Sequence, residues 1–150
     1  MSIQWAITSW QQLDPIALHD LIKLRIDVFV VEQQCFYEEL DGKDLNALHL
    51  LGRNVSGDPV ACARVLPPDD DGLPRIGRVA VHPEHRGKGL AHELMRFALD
   101  EIEQRYGSKR SKLSAQSHLQ AFYAKHGYSA VSEPYLLDGI PHLDMVRTAY

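Results

Sequence analysis

Arg78-Val79-Ala80-Val81-His82-Pro83-Glu84-His85-Arg86-Gly87-Lys88-Gly89-Leu90-Ala91 is the stretch on which the fold turns. Its first residues complete a short apolar, β-prone run, Ile76 to Val81, which stops at His82-Pro83. A turn with two glycines follows, and then an amphipathic helix. A glycine-rich turn feeding a helix N-terminus is an anion cradle. The first backbone N–H groups of a helix have no partner within it, and the helix dipole adds positive potential there. Gly87 and Gly89 let the backbone approach a phosphate closely and tolerate positive φ. Arg86 and Lys88 add charge. The stretch predicts a site for a phosphate or pyrophosphate ester.

The spacing narrows the ligand. A nucleotide-triphosphate loop needs Gly-x-x-x-x-Gly-Lys-Ser/Thr, which is absent. A dinucleotide fingerprint needs glycine where His92 stands. What remains, Arg86, Gly89 and Ala91, resembles the pyrophosphate signature of the GNAT superfamily of N-acetyltransferases, Arg/Gln-x-x-Gly-x-Gly/Ala. A second stretch agrees with it. A short strand, Lys112 to Ala115, leads into a short helix, about Ser117 to His126, closed by Gly127 as C-terminal cap. Its end, Phe122-Tyr123-Ala124-Lys125-His126-Gly127-Tyr128, is similar to the second GNAT signature, Phe-Tyr-x-x-x-Gly-Phe/Tyr. The opening helix, Leu24 to Gln33, and the segment Asp138 to Met145 resemble the small ElaA-like branch. The resemblance covers nearly the whole chain.

That resemblance implies one domain over residues 1–150, an α/β fold with a GNAT-type mixed, largely antiparallel sheet flanked by helices. It implies acetyl transfer from acetyl-CoA, as cosubstrate, to an amine by direct attack on the thioester, with no metal. Val79, Ala80 and Val81 are then expected to pair with the pantetheine arm like an added strand. The amides of Arg86, Gly87, Lys88, Gly89, Leu90 and Ala91 take the pyrophosphate. Gln116 stands where the family often has asparagine against the pantetheine. Tyr123 is the expected acid for the departing sulfur. The base stays open. Some relatives carry a glutamate on the strand that binds the arm, but Ile76-Gly77-Arg78-Val79 supplies none. Glu32, His142 and His118 are the candidates, with a water chain as a further route. Two other readings share the fold: a CoA-binding module without catalysis, and an acyl-homoserine-lactone synthase, for which the chain is short.

Composition bounds the rest. The 150 residues carry 45% hydrophobic and 24% charged residues, an ordinary globular composition. A net charge of −4 argues against nucleic acid as partner. No apolar run approaches the roughly 20 residues of a membrane helix. Met1 to Trp5 lacks a signal peptide's basic and apolar regions, and Cys35 and Cys62 suggest no disulfide framework. The cytoplasm is the expected location. The expected partner is a small-molecule amine or peptide acceptor, and homodimerisation stays open. His82, His85 and His92 do not form a His-Glu-x-x-His zinc site, and no base is evident for Cys35 as a nucleophile.

Along the chain, Ile3, Trp5 and Ile7 alternate as a first strand. Asp14-Pro15 starts a helix whose stripe holds Leu18, Leu21, Ile22, Val28 and Phe29, with Arg25 on it, expected to snorkel or to pair with a carboxylate such as Asp27 or Glu32. Strands are expected over Leu48 to Arg53, Val60 to Leu66 and Arg75 to Val81. A helix from about Lys88 to Tyr106 has Leu90, Leu94, Phe97, Ala98 and Ile102 on its core face. Weak strands follow near Tyr128 to Val131 and His142 to Thr148. The loop Glu38 to Asp44 has four carboxylates against Lys43. It predicts attraction of a cationic acceptor, such as a polyamine or a lysine-containing peptide. The Asp69-Asp70-Asp71 run reads as solvated.

Overall fold

The computed structural model describes residues 2–148. One mixed sheet organises it, built from β1 (Gln4–Ser9), β2 (Leu48–Arg53), β3 (Pro59–Leu66), β4 (Arg75–Val81), β5 (Ser111–Gln116), β6 (Tyr128–Ala130), β7 (Tyr135–Leu137) and β8 (Ile140–Arg147). The order across it is β1-β2-β3-β4-β5-β8-β6, with β7 also on β8. Every neighbouring pair is antiparallel except β4 and β5. Three α-helices are present among the described residues: α1 (Pro15–Ile26), α2 (Leu90–Tyr106) and α3 (Gln120–Ala124). This is the single-domain α/β architecture expected of a GNAT fold.

The period-2 alternation of the strands divides the core. Leu21, Leu24 and Val28 pack on Leu51, Cys62 and Ala80. The intervening positions Leu50, Ala61, Ala63 and Val65 face the other way, onto Leu90, Leu94, Met95, Ala98 and Ile102 of α2. Thus α1 and α2 cover opposite faces. Met95 and Leu99 join the predicted core stripe of α2, whereas Phe97 is only partly buried and stacks on Trp5 with centroids 6.0 Å apart. Each fully buried leucine contributes about 1.5–3 kcal/mol of apolar transfer energy.

Helix α1 begins as its sequence dictates. The Asp14 Oδ1 accepts from the Ala17 N–H at 2.7 Å, and Pro15 opens the first turn. It then widens into a π-helical turn, Asp27–Glu32, closed by Gln33 N–H to Val28 O and Cys35 N–H to Val30 O, each 3.2 Å. The wider turn rotates later side chains off the α-helical stripe. Glu32 therefore leaves the face of Arg25, and the expected pairings of Arg25 with Asp27 or Glu32 do not form. Asp27 takes Lys23 instead, at 2.5 Å.

Arg25 is buried and paired across the loop. Its Nε donates to Glu39 at 2.5 Å, and its Nη1 and Nη2 donate to Asp44 at 2.9 and 3.1 Å. Arg64 of β3 donates to Asp41 at 2.8 Å and to Asp44 at 3.1 Å, and Arg78 of β4 donates to Glu39 at 3.1 Å. Tyr37 adds its hydroxyl to Glu39. Burial opposes the charge of Asp41 and Asp44. The hydrogen bonds from Arg64 to Asp41 and from Arg25 to Asp44 outweigh it and hold both below the usual carboxylate range. This corrects the reading of the acidic loop as a lure for cations. Glu39, Asp41 and Asp44 are spent on three arginines, and only Glu38 of the four is left without an ion pair among the described residues. The Asp69-Asp70-Asp71 run is not merely solvated either, because Asp69 and Asp71 hold Lys112 Nζ at 2.8 and 2.7 Å.

Candidate active site

Strands β4 and β5 share a single paired position, Arg75 with Lys112, and then diverge. Two facts of β4 force the split. Arg78 and Val79 together oppose the single residue Ala63 on β3, a bulge, and Arg78 takes φ +51°. A bulge bends its strand and re-aims the next residues. From Gly77 to Val81 the β5-facing edge of β4 pairs no strand among the described residues. The wedge is a cleft of about 1100 Å³.

The glycine turn closes one end of the cleft. Gly87 and Gly89 adopt φ +78° and +77°, and no side chain caps α2, so the turn presents backbone N–H groups. The helix starts at Leu90 rather than Lys88, because the positive φ of Gly89 excludes it from the helical run. Val79, Ala80, Val81, Arg86, Gly87, Gly89, Leu90, Ala91, Gln116, Tyr123 and His142 all line the cleft; Lys88 and Glu32 do not.

Tyr123 lies on α3, which is shorter than expected. A 3₁₀ turn, Ser117–Leu119, replaces its first part. The ring is buried, edge-on to Phe122 at 4.9 Å and Tyr128 at 6.1 Å. Its hydroxyl makes no hydrogen bond to the described residues. Burial, reinforced by Tyr128, pushes the phenol well above its ordinary range, so it keeps its proton. Across the cleft, His142 sits on β8 opposite Gln116 of β5. Its Nδ1 lies 2.7 Å from the Ile140 carbonyl. A carbonyl only accepts, so Nδ1 carries the hydrogen and the neutral ring leaves its Nε2 lone pair free. Tyr135 stacks on the ring at 6.4 Å.

Glu32 is placed elsewhere. Its carboxylate receives both Nη atoms of Arg86, at 2.6 and 2.7 Å, and those hydrogen bonds hold it below the usual range. Gln116 donates to Gln33 at 3.3 Å, and the Cys35 thiol donates to the Asp138 carbonyl at 3.3 Å. The segment after α1 thus bridges to β5 and the β7–β8 turn. Tyr135, Ser114 and Arg75 line the cleft but carry no sequence signal; β7 is too short to show alternation. His92 also lines it, its Nδ1 2.8 Å from His126 Nε2. Among the described residues no group of three or more His, Cys, Asp or Glu is arranged to hold a metal, and no helix is long and apolar enough to cross a membrane.

Residues 18–149 match the family model described as "Acetyltransferase (GNAT) domain", and the chain belongs to that family. It is 41% identical to Protein ElaA of Escherichia coli, over 97% of this chain and 96% of that protein. It is 40% identical to a UPF0039 protein of Schizosaccharomyces pombe, over 96% of each. Among solved structures it is similar to an acyl-CoA N-acyltransferase from Pseudomonas aeruginosa, with TM-score 0.92, 42% identity, and coverage of 98% of this chain and 100% of that one. The structure of Escherichia coli ElaA superposes with TM-score 0.90 at 39% identity, over 97% and 99%. The acyl-homoserine-lactone synthase LasI, at 15% identity and TM-score 0.79 over 97% and 89%, shares the fold alone.

Proposed function

We propose that this chain is an acetyl-CoA-dependent N-acetyltransferase that joins an acetyl group to an amine by direct attack on the thioester. One observation carries the reading: the open inner edge of β4 runs from the glycine turn past Tyr123 and His142, all within one cleft. Backbone N–H groups of the turn suit a pyrophosphate. The β5-facing edge of β4 at Val79 and Ala80, which pairs no strand, suits the amides of a pantetheine arm, as when a peptide adds a strand to a sheet edge.

The chemistry then follows the donors and acceptors. A neutral amine attacks the thioester carbon. A backbone N–H of the bulged segment stabilises the developing oxyanion. The His142 Nε2 lone pair takes the amine's proton. As the C–S bond breaks, the protonated Tyr123 hydroxyl gives its hydrogen to the thiolate. The products are an amide and free CoA. Glu32, its carboxylate doubly occupied by Arg86, is not the base in this scheme.

The test is thiol release from acetyl-CoA across a panel of amines. Tyr123→Phe is expected to lower kcat roughly 10- to 1000-fold, the usual scale for one acid–base group, with little change in CoA affinity. His142→Ala is expected to lower kcat with little change in CoA affinity. Wild-type turnover in either variant removes that residue from the mechanism. CoA binding without thiol release for any amine replaces the enzyme by a CoA-binding module.

A further inference from the structure

Arg86 is one of two cationic residues of the glycine turn, and its guanidinium is already committed. Nε donates to the Val81 carbonyl at 3.0 Å. Nη1 and Nη2 donate in parallel to the two oxygens of Glu32 at 2.6 and 2.7 Å. These three bonds join three segments. Val81 is the last residue of β4, the edge offered to the pantetheine arm. Glu32 is the last residue of the π-helical turn after α1. Arg86 itself opens the glycine turn, whose Gly87 and Gly89 have little intrinsic preference for one backbone conformation.

From this geometry we infer that Glu32 and Arg86 form a clasp that positions the pyrophosphate turn, with Glu32 a positioning residue rather than a proton acceptor or a competitor of the phosphate. The inference rests on the proposed reading that the turn binds CoA. Two-toothed Arg–carboxylate pairs fix orientation as well as distance, which a single lysine cannot do. The π-helical turn is what delivers Glu32 to the clasp: on a regular helix it would share the face of Arg25 and never reach Arg86. The clasp orients the turn so that backbone amides, and not the Arg86 side chain, carry the anion. It also ties the cofactor end of the cleft to the segment that continues through Gln33 and Cys35 to the opposite wall.

The experiment is calorimetry of CoA with the intact protein, beside steady-state kinetics in acetyl-CoA, for Glu32→Ala, Glu32→Gln, Arg86→Lys and the double variant Glu32→Ala/Arg86→Lys. A clasp predicts that Glu32→Ala and Arg86→Lys each weaken CoA binding by up to about fivefold, the scale of one exposed ion pair, and raise KM for acetyl-CoA alike while kcat falls far less. Glu32→Gln, which keeps the shape and one acceptor, falls between. The double variant is no worse than Arg86→Lys, because both substitutions break the same Glu32 contact and only the loss of Arg86 also breaks the bond to Val81. Tighter CoA binding in Glu32→Ala overturns the clasp and makes Glu32 a competitor. A large loss in kcat at unchanged affinity makes Glu32 the base. Unchanged affinity and kinetics make the pair incidental. A wild-type protein that binds no CoA refutes the underlying reading instead, and so the two failures are told apart.

Discussion

Two sets of guanidinium–carboxylate contacts flank the cleft, a buried network of three arginines and an exposed single pair, and they differ above all in their access to water. Under the Glu38 to Asp44 loop, Arg25, Arg64 and Asp44 are less than 5% exposed and interlocked with Glu39 and Asp41. At the glycine turn, Arg86 and Glu32 meet in the open, with side chains 43% and 38% exposed. In water an ion pair is worth about 0–1 kcal/mol, because solvation competes. Removing one partner of a buried set strands the others and costs about 3–5 kcal/mol. The same chemistry thus serves as a structural pin at one end and as a fine adjustment of backbone position at the other.

The sharpest way to break this contrast is to delete one carboxylate from each set. Asp44→Ala is expected to cost about 3–5 kcal/mol in urea unfolding, since it removes the carboxylate that buried Arg25 and Arg64 share and leaves each with one carboxylate partner, Glu39 or Asp41, whereas Glu32→Ala costs about 1 kcal/mol or less. Equal losses would erase the distinction. Gly89→Val separates binding from folding at the exposed end. No atom lies within 4 Å of the added Cβ, so only the strain of a branched residue at φ +77° remains, about 1–3 kcal/mol. CoA affinity is expected to fall at least about tenfold, the equivalent of 1.4 kcal/mol, because the side chain stands where a phosphate must meet backbone N–H groups. Calorimetry showing undiminished affinity would assign the turn a purely structural role.

Acid gives a gentler handle. Asp41 and Asp44 are held below their ordinary range, so their contribution is present above the unfolded carboxylate range and is lost as pH falls through the lowered values. Melting temperature should decline between about pH 5 and pH 2, and Asp44→Asn should shallow that decline. A variant with the wild-type slope would put the acid sensitivity elsewhere. Salt is expected to act least. At about 1 M the screening length is about 3 Å, which weakens the exposed Arg86–Glu32 pair but leaves the buried set nearly untouched. CoA binding should then lose more than stability does.

Which parts were readable from the chain follows from the range of the forces involved. Gly87, Gly89, Asp14 and Pro15 act on their immediate neighbours, so their turn and cap appear where local chemistry puts them. The β4 edge and Tyr123 were legible through the family signatures that contain them. Arg25 showed its place on an apolar stripe, but its partners lie 14 and 19 residues on, at Glu39 and Asp44, and only tertiary packing brings them in. Glu32 was misplaced by α-helical arithmetic, seven residues from Arg25, because nothing in Asp27 to Glu32 announces a π-helical turn. The acidic loop was read as free charge because its three arginines come from α1, β3 and β4. His142 was legible as a residue; its hydrogen-bonded tautomer needed the Ile140 carbonyl.

The gap between β4 and β5 leaves the sheet unfinished, and an unfinished sheet couples ligand to folding. Only the native chain presents the two diverging edges, so a thioester that fills the wedge stabilises the fold by RT ln(1 + [L]/Kd), about 2.7 kcal/mol at a hundredfold excess over Kd. Heat denaturation thereby becomes a ruler for the cosubstrate. A series of acyl-CoA thioesters, ranked by the rise each causes in Tm, would reveal the chain length the wedge accommodates without any acceptor being known.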